Sequence, residues 1–589
     1  MQLKKNLVFV VSVILLICSI PLFAGSQVNN YDDYQFSRLA KIAAEKGYVR
    51  VIVEFDVPGI DALRAISNSY RTGDQYKGFF QSAVNADQAL GHAISMSRDT
   101  VLHQLNGCNY EVTRSFSTLP GVGLIVAADA LEKLRSIPEI VRVTEDKPTP
   151  LPGDEFAETS EEGLSSPKLD RTTEIVGATA AWGFGYTGAG WYVAILDSGL
   201  LTSHQMFSNK NIVEACFSWG ADYFDEVNGG CPNGLKEMYG PGSAAHQVYG
   251  GDHGSHVTGI AAGNDQDSHF GVAKGADIIA IQVFTYFPFE GDILSWNTDQ
   301  LAGLEYVYTL RNAYNIASAN LSLGSANGYS SYCDDALLAQ AISNLKAVGI
   351  ATAVASGNEG RCGAVANPAC ISSAVTVDGT DKNDNVYGSG NWHDVIVDLL
   401  APAVSVNSAR AYSNESYGTA TGTSMAAPHV AGAWAIMRQY DPSMSVDEIL
   451  AVLQDTGQML NTDYCASNTA KARFNVADAL MSLFVIAPPI NIAAVQETNK
   501  SFLQTEYINV LTWESNPYNA DNNVAHYRVY VVGSGNQLTR LGEVDSSTFT
   551  FWHRKVNKRE EMTYAVTAVD ASGLESPPFH YTLDFGVTQ

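Results

Sequence analysis

The run Gly422-Thr423-Ser424-Met425-Ala426-Ala427-Pro428-His429 puts a serine at a turn that leads into a helix. Ala426, Ala427, Ala431 and Gly432 keep that helix thin, as a central buried helix requires. Proline is tolerated in the first turn of a helix, so Pro428 sets the helix start close to Ser424. The positive end of the helix dipole then points at Ser424, where it favours an oxyanion. Capping of the helix is the competing role for a serine at this place.

Outward from this run, residues 170–485 alternate short apolar runs with helical stretches. The apolar runs cover 191–196, 277–284, 317–323, 349–355, 374–377 and 395–400. The helical stretches cover 254–262, 298–314, 334–347, 425–439 and 445–456. Such alternation predicts an α/β domain, a parallel β-sheet with helices on both faces. Ligand sites in sheets of this kind lie at the carboxyl ends of the strands. Asp197 ends the run 191–196, Asn358 follows the run 349–355, and His253 opens a Gly-rich helix. Alone, Asp197 reads as a turn residue, and His253 with His256 three residues on could suggest a metal, though no third ligand is apparent nearby. Together they offer what acyl transfer needs: a nucleophile, a base, an acid to orient the base, and an amide to bind the oxyanion.

The blocks Asp197-Ser-Gly199, His253-Gly-Ser-His-Val-Thr-Gly259, Gly357-Asn358 and Gly422–His429 resemble, in that order, the signature blocks of the subtilisin-like serine proteases (subtilases, peptidase S8). The likeness covers roughly 170–485. It implies a serine endopeptidase acting on proteins and peptides, with Ser424 as nucleophile, His253 as general base and acid, Asp197 orienting His253, and Asn358 as oxyanion donor. It implies that Ser322, Leu323 and Gly324 pair with the substrate backbone by strand addition, and that His256 and His429 are structural. It implies that the chemistry requires no cofactor. A structural Ca²⁺ is expected at 263–270, where Asn264, Asp265 and Asp267 offer oxygen ligands; a solvated acidic loop is the alternative.

The flanks complete the expected organisation. Lys4 and Lys5, an apolar run and small residues at 24–26 read as a signal peptide over 1–26, hence a secreted protein. Residues 27–150 form a small α+β unit, with strands over 49–55, 121–128 and 140–145 and helices around 81–106 and 128–136. Its segment 49–147, with Arg114-Ser-Phe-Ser-Thr-Leu-Pro-Gly121, is similar to the family's inhibitory I9-like propeptide, an intramolecular inhibitor. The Pro-rich stretch from Lys147 to Gly153 and the acidic residues after it read as an exposed linker. Self-cleavage is expected between 145 and 170, within a linker set at 151–169. Residues 487–589 show short strands, and Trp513, Tyr527 and Tyr564 resemble the core of a fibronectin type III β-sandwich, a spacer or a tether to a polymer or surface.

Of 589 residues, 62 are acidic and 35 basic, a net charge of −27. That excess argues against nucleic acid or an anionic membrane as partner, both of which need a basic face. A soluble monomer is expected. Among the eight cysteines, Cys18 and Cys108 fall in the segments expected to be removed. An even number remains, which in an exported protein points to disulfides. Cys216 and Cys231 flank one loop and are expected to pair; Cys333, Cys362, Cys370 and Cys465 leave three pairings open.

Overall fold

The computed structural model describes residues 33–68, 77–151, 155–157, 171–220, 230–245, 252–287, 292–462, 464–465, 467, 469–500, 505–519, 524–533 and 537–585. The expected signal peptide lies outside them, as does most of the expected linker. At the centre, the strands Leu399–Pro402, Val375–Thr380, Ala351–Ala355, Ile316–Leu321, Tyr192–Asp197, Asp277–Gln282 and Ile212–Phe217 lie side by side in that order, all parallel. Their near-continuous apolar composition fits strands covered on both faces. One face carries the helices Thr423–Tyr440 and Asp252–Ala262 over a core that includes Val193, Ile195, Val377 and Trp434. The other carries Asn297–Leu310 and Leu337–Ala347 over Leu196, Ile281, Leu321 and Val354. The α/β expectation therefore holds.

The helix Thr423–Tyr440 does begin at Ser424's neighbour, but Pro428 lies in its second turn rather than its first. A proline there has no N–H for the carbonyl four residues back, which is that of Ser424. Ser322 Oγ supplies the missing bond, donating to the Ser424 carbonyl at 2.7 Å. The kink-prone residue is thus tolerated because a neighbouring strand end replaces its hydrogen bond.

Residues 33–150 form an antiparallel sheet of Tyr110–Ser115, Gly121–Val126, Val49–Phe55 and Ile140–Glu145, backed by helices that include Asp33–Lys46 and Lys77–Gln104. At the other end, strands Ile490–Lys500, Thr505–Glu514 and Thr550–Val556 face a four-stranded antiparallel sheet. Trp513, Tyr527 and Tyr564 fill the space between the two sheets. Phe579 of this sandwich packs edge-on against Phe184 of the central domain.

The Pro-rich stretch is not an exposed linker. Pro148–Pro150 is a strand paired antiparallel with Asp292–Trp296, and Thr149 is buried. Further on, Glu155–Ala157 pairs antiparallel with Tyr417–Thr421. The register explains how prolines enter a ladder. Asn297 N–H donates to the Lys147 carbonyl, which makes 147 and 149 the hydrogen-bonded positions. Pro148 and Pro150 fall at the positions between them, where no N–H is called for.

The cysteines pair as Cys216–Cys231, Cys333–Cys370 and Cys362–Cys465. The first was expected, and the other two select one of the three open pairings.

Candidate active site

Asp197 is the last residue of the strand Tyr192–Asp197, at the carboxyl end of the sheet. Its Oδ1 accepts from the Ser198 N–H at 2.7 Å and faces His253 Nδ1 at 2.8 Å. His253 is the second residue of the helix Asp252–Ala262. That helix can come this close because residue 254 is glycine: a Cβ there would lie 2.1 Å from the Gly199 carbonyl oxygen. Gly254 N–H donates to Ser198 Oγ at 3.0 Å, so Ser198 ties the acid's turn to the histidine's helix. Asp197, His253 and Ser424 are all fully buried. Among the described residues Ser424 Oγ has no hydrogen-bond partner, which leaves the hydroxyl available to a reacting group.

Asn358 follows the strand Ala351–Ala355, across the cleft floor from Ser424. Its Oδ1 accepts from both the N–H and the Oγ1 of Thr423, at 2.9 and 3.0 Å. With the carbonyl end of the amide fixed in this way, only the NH₂ end can donate to a substrate. Thr423 was not singled out by sequence, although its place beside Ser424 in the opening run was a usable signal. Ser322, Leu323 and Gly324 continue the strand Ile316–Leu321 to the same end of the sheet. The structure pairs Asp197 with His253, and it joins Asn358 to Thr423 and Ser322 to Ser424. Glu359 beside Asn358 is not a bare charge: Asn391 Nδ2 donates to it at 2.6 Å and Arg361 Nε lies 3.9 Å away.

The loop 263–270 does not fit a calcium ion as folded. Asp265 Oδ1 accepts from the N–H groups of Asp267, Ser268 and His269, and Oδ2 is held by His269 Nδ1 and the Tyr417 hydroxyl. Burial pushes the Asp265 carboxyl up, but these donors outweigh it and hold it down at about 2. Asn264 Oδ1 accepts from Gln266 N–H, and Asp267 is exposed. The loop's Asp265 and Asn264 side chains are spent on organising the turn. His256 and His429 are buried and set against the carbonyls of Gly418 and Met425; burial pushes them down to about 3 and about 4, so both are neutral packing groups.

A doubly covered parallel sheet with an acid–histidine pair at one strand end and a serine in the first turn of a buried helix suits the class of α/β serine peptidases. Residues 188–478 match the family model described as the subtilase family, Peptidase_S8. The chain is 34% identical over 294 residues to Subtilisin Savinase from Lederbergia lenta, covering 49% of this chain and 90% of that one. It is 30% identical over 369 residues to an alkaline protease from Alkalihalobacillus alcalophilus, covering 62% and 80%. An extracellular serine proteinase from a Thermus species is 29% identical over 337 residues, 57% and 70% of the two chains. The chain belongs to the subtilase family and is a serine endopeptidase.

Proposed function

We propose that this chain is the precursor of a secreted endopeptidase that cuts itself free of its N-terminal domain. Ser424 attacks the peptide carbonyl while His253 takes its proton, and Asp197 holds the imidazole with Nδ1–H turned inward. Asn358 Nδ2 and the Ser424 N–H bind the tetrahedral oxyanion, helped by the N-terminal end of the helix Thr423–Tyr440. His253 then passes the proton to the leaving amine, and water clears the acyl-enzyme by the same route. Residues 27–150 act as the inhibitory domain, 170–485 as the catalytic domain, and the β-sandwich within 487–589 as a spacer or tether.

The observation that carries this reading is the path of the chain around Ser424. Pro148–Pro150 pairs on one side of the cleft. Glu155–Ala157 pairs on the other, with Glu155 opposite Thr421, three residues before the nucleophile. Two strands of one segment, one added to Asp292–Trp296 and one to Tyr417–Thr421 just ahead of Ser424, are held by strand addition, as a bound substrate is. The expected product of self-cleavage begins at a residue from 152 to 155. N-terminal sequencing of the protein matured from the full chain checks this; a start outside that window, or no cut at all, removes the reading.

Two further outcomes follow from the geometry. Asn358→Ala should lower kcat by roughly 10²–10³-fold with little change in KM, a magnitude carried over from the same change in a subtilisin; steady-state kinetics on a chromogenic peptide measure it. The proline register predicts a second result. Extended substrates should accept proline at the places of Pro148 and Pro150, and lose about tenfold or more in kcat/KM with proline at the place of Thr149, where one ladder hydrogen bond is lost and its acceptor left buried. A matched set of fluorogenic peptides with proline at each of the three positions reads this directly.

A further inference from the structure

The loop closed by Cys216–Cys231 brings Trp219 beside Trp296, the last residue of the strand Asp292–Trp296. Both indoles are buried, and between them lies Arg50 of the N-terminal domain. Its guanidinium carbon is 3.9 Å from the centre of the Trp296 ring and 5.0 Å from that of Trp219. Arg50 Nη2 reaches Thr298 Oγ1 at 3.3 Å. The next residue of that helix, Asp299, is fully buried and accepts from the Trp219 N–H and from a second guanidinium, that of Arg114. Burial pushes the Asp299 carboxyl up, and the charges that oppose this are Arg114 and Arg50. The catalytic domain therefore buries the Trp296 indole and a carboxylate whose guanidinium partners belong to the N-terminal domain, while Trp219 also carries Lys236 of its own domain, with Nζ 3.3 Å from the ring centre.

Two indoles set close together suit a flat, weakly hydrated cation better than an ammonium, which is compact and strongly hydrated. The slot also continues the cleft. Trp296 pairs with Pro148, and Asn297 N–H holds the Lys147 carbonyl, so the slot abuts the end of the bound strand that lies furthest from Ser424 on its N-terminal side. We infer that the slot of Trp219, Trp296, Thr298 and Asp299 is a guanidinium-binding site of the catalytic domain. The chain's own arginine fills it before cleavage, and arginine-bearing peptides fill it afterwards. The second half rests on the self-cleavage proposed above; the first half does not.

The test separates the two. Arg50 Nε and Nη2 also pair with the buried Asp146 of the N-terminal domain, at 3.0 and 2.7 Å, so in the full chain carrying Ser424→Ala, Arg50→Ala is combined with Asp146→Asn, which empties the slot and removes that competing carboxylate. Methylguanidinium and methylammonium, matched for ionic strength, are then titrated while the thermal midpoint and tryptophan fluorescence are followed. The expected result is a rise in midpoint with methylguanidinium at a concentration about tenfold lower than methylammonium needs, and no such rise when Arg50 is present. Equal effects of the two cations, or none, overturn the site. Where Arg50→Ala does not accumulate as folded protein, Arg50→Met, which keeps an unbranched stem and carries no charge, takes its place and the same titration decides. In the matured enzyme, Trp219→Ala should raise KM about tenfold for a peptide with an N-terminal arginine extension and leave its citrulline counterpart unchanged. If the titration succeeds and this KM split is missing, the slot serves only the uncut chain and the peptide-binding half is overturned.

Discussion

Replacing Ser424 with alanine is expected to abolish hydrolysis of casein and to leave the full chain uncut. The loss should be on the scale of the ~10⁶-fold fall in kcat that the same change gives in a subtilisin. Two readouts matter because each closes a different escape. A chain that fails to cleave casein but still loses its N-terminal domain would point to cleavage by another protease. A chain that stays whole but still digests casein would remove Ser424 from the chemistry. The substitution itself is mild. Ser424 Oγ holds no described partner that alanine would orphan, and the backbone carbonyl bonded by Ser322 Oγ is unchanged. The thermal midpoint should therefore stay close to that of the uncut parent, which separates lost chemistry from lost folding. Electrophoresis of the expressed chain, followed by a casein assay, reads both outcomes.

How far the site was legible depends on how local each contact is. Asp197, His253, Asn358 and Ser424 lie at ends of runs whose apolar period marks strand or helix, so their shared end of the sheet follows from topology. The strand Tyr110–Ser115 carries few apolar residues and does not read as a strand; Arg114 within it is spent on Asp299 of another domain. Ile212–Phe217 does not read as a strand, since Glu214 and Cys216 interrupt its apolar residues. The stretch 148–157 was misread for a physical reason. Proline signals a turn or linker when nothing is known of its neighbours, and only the register against Asp292–Trp296 shows that the missing N–H groups are not needed. Thr423 on Asn358, Ser322 on Ser424 and Trp219 on Arg50 all join segments far apart in the chain, which no local pattern encodes.

Asp197→Asn should cost about 10⁴ in kcat, the scale seen when the triad acid of a serine protease becomes an amide, while the fold and substrate binding remain. Asparagine has the same shape, and the atom that accepts from the Ser198 N–H at 2.7 Å is the one that faces His253, so an amide oxygen there keeps the Ser198 bond and an NH₂ there loses it. What changes is the face presented to His253 Nδ1, now 2.8 Å from a carboxylate oxygen. An acid can only accept there, so it holds the tautomer with the proton on Nδ1 and leaves Nε2 to act as the base. If the amide turns its NH₂ toward His253, Nδ1 must accept and the proton sits on Nε2, where it can no longer be taken from Ser424. If the amide turns its oxygen instead, it holds the tautomer but supplies no charge to the imidazolium that forms as Ser424 attacks. Both orientations lower kcat and leave KM nearly unchanged. Raising the pH should recover part of the activity, since hydroxide can take the serine proton in place of His253. A kcat within tenfold of the parent at neutral pH would show that Asp197 only packs against His253.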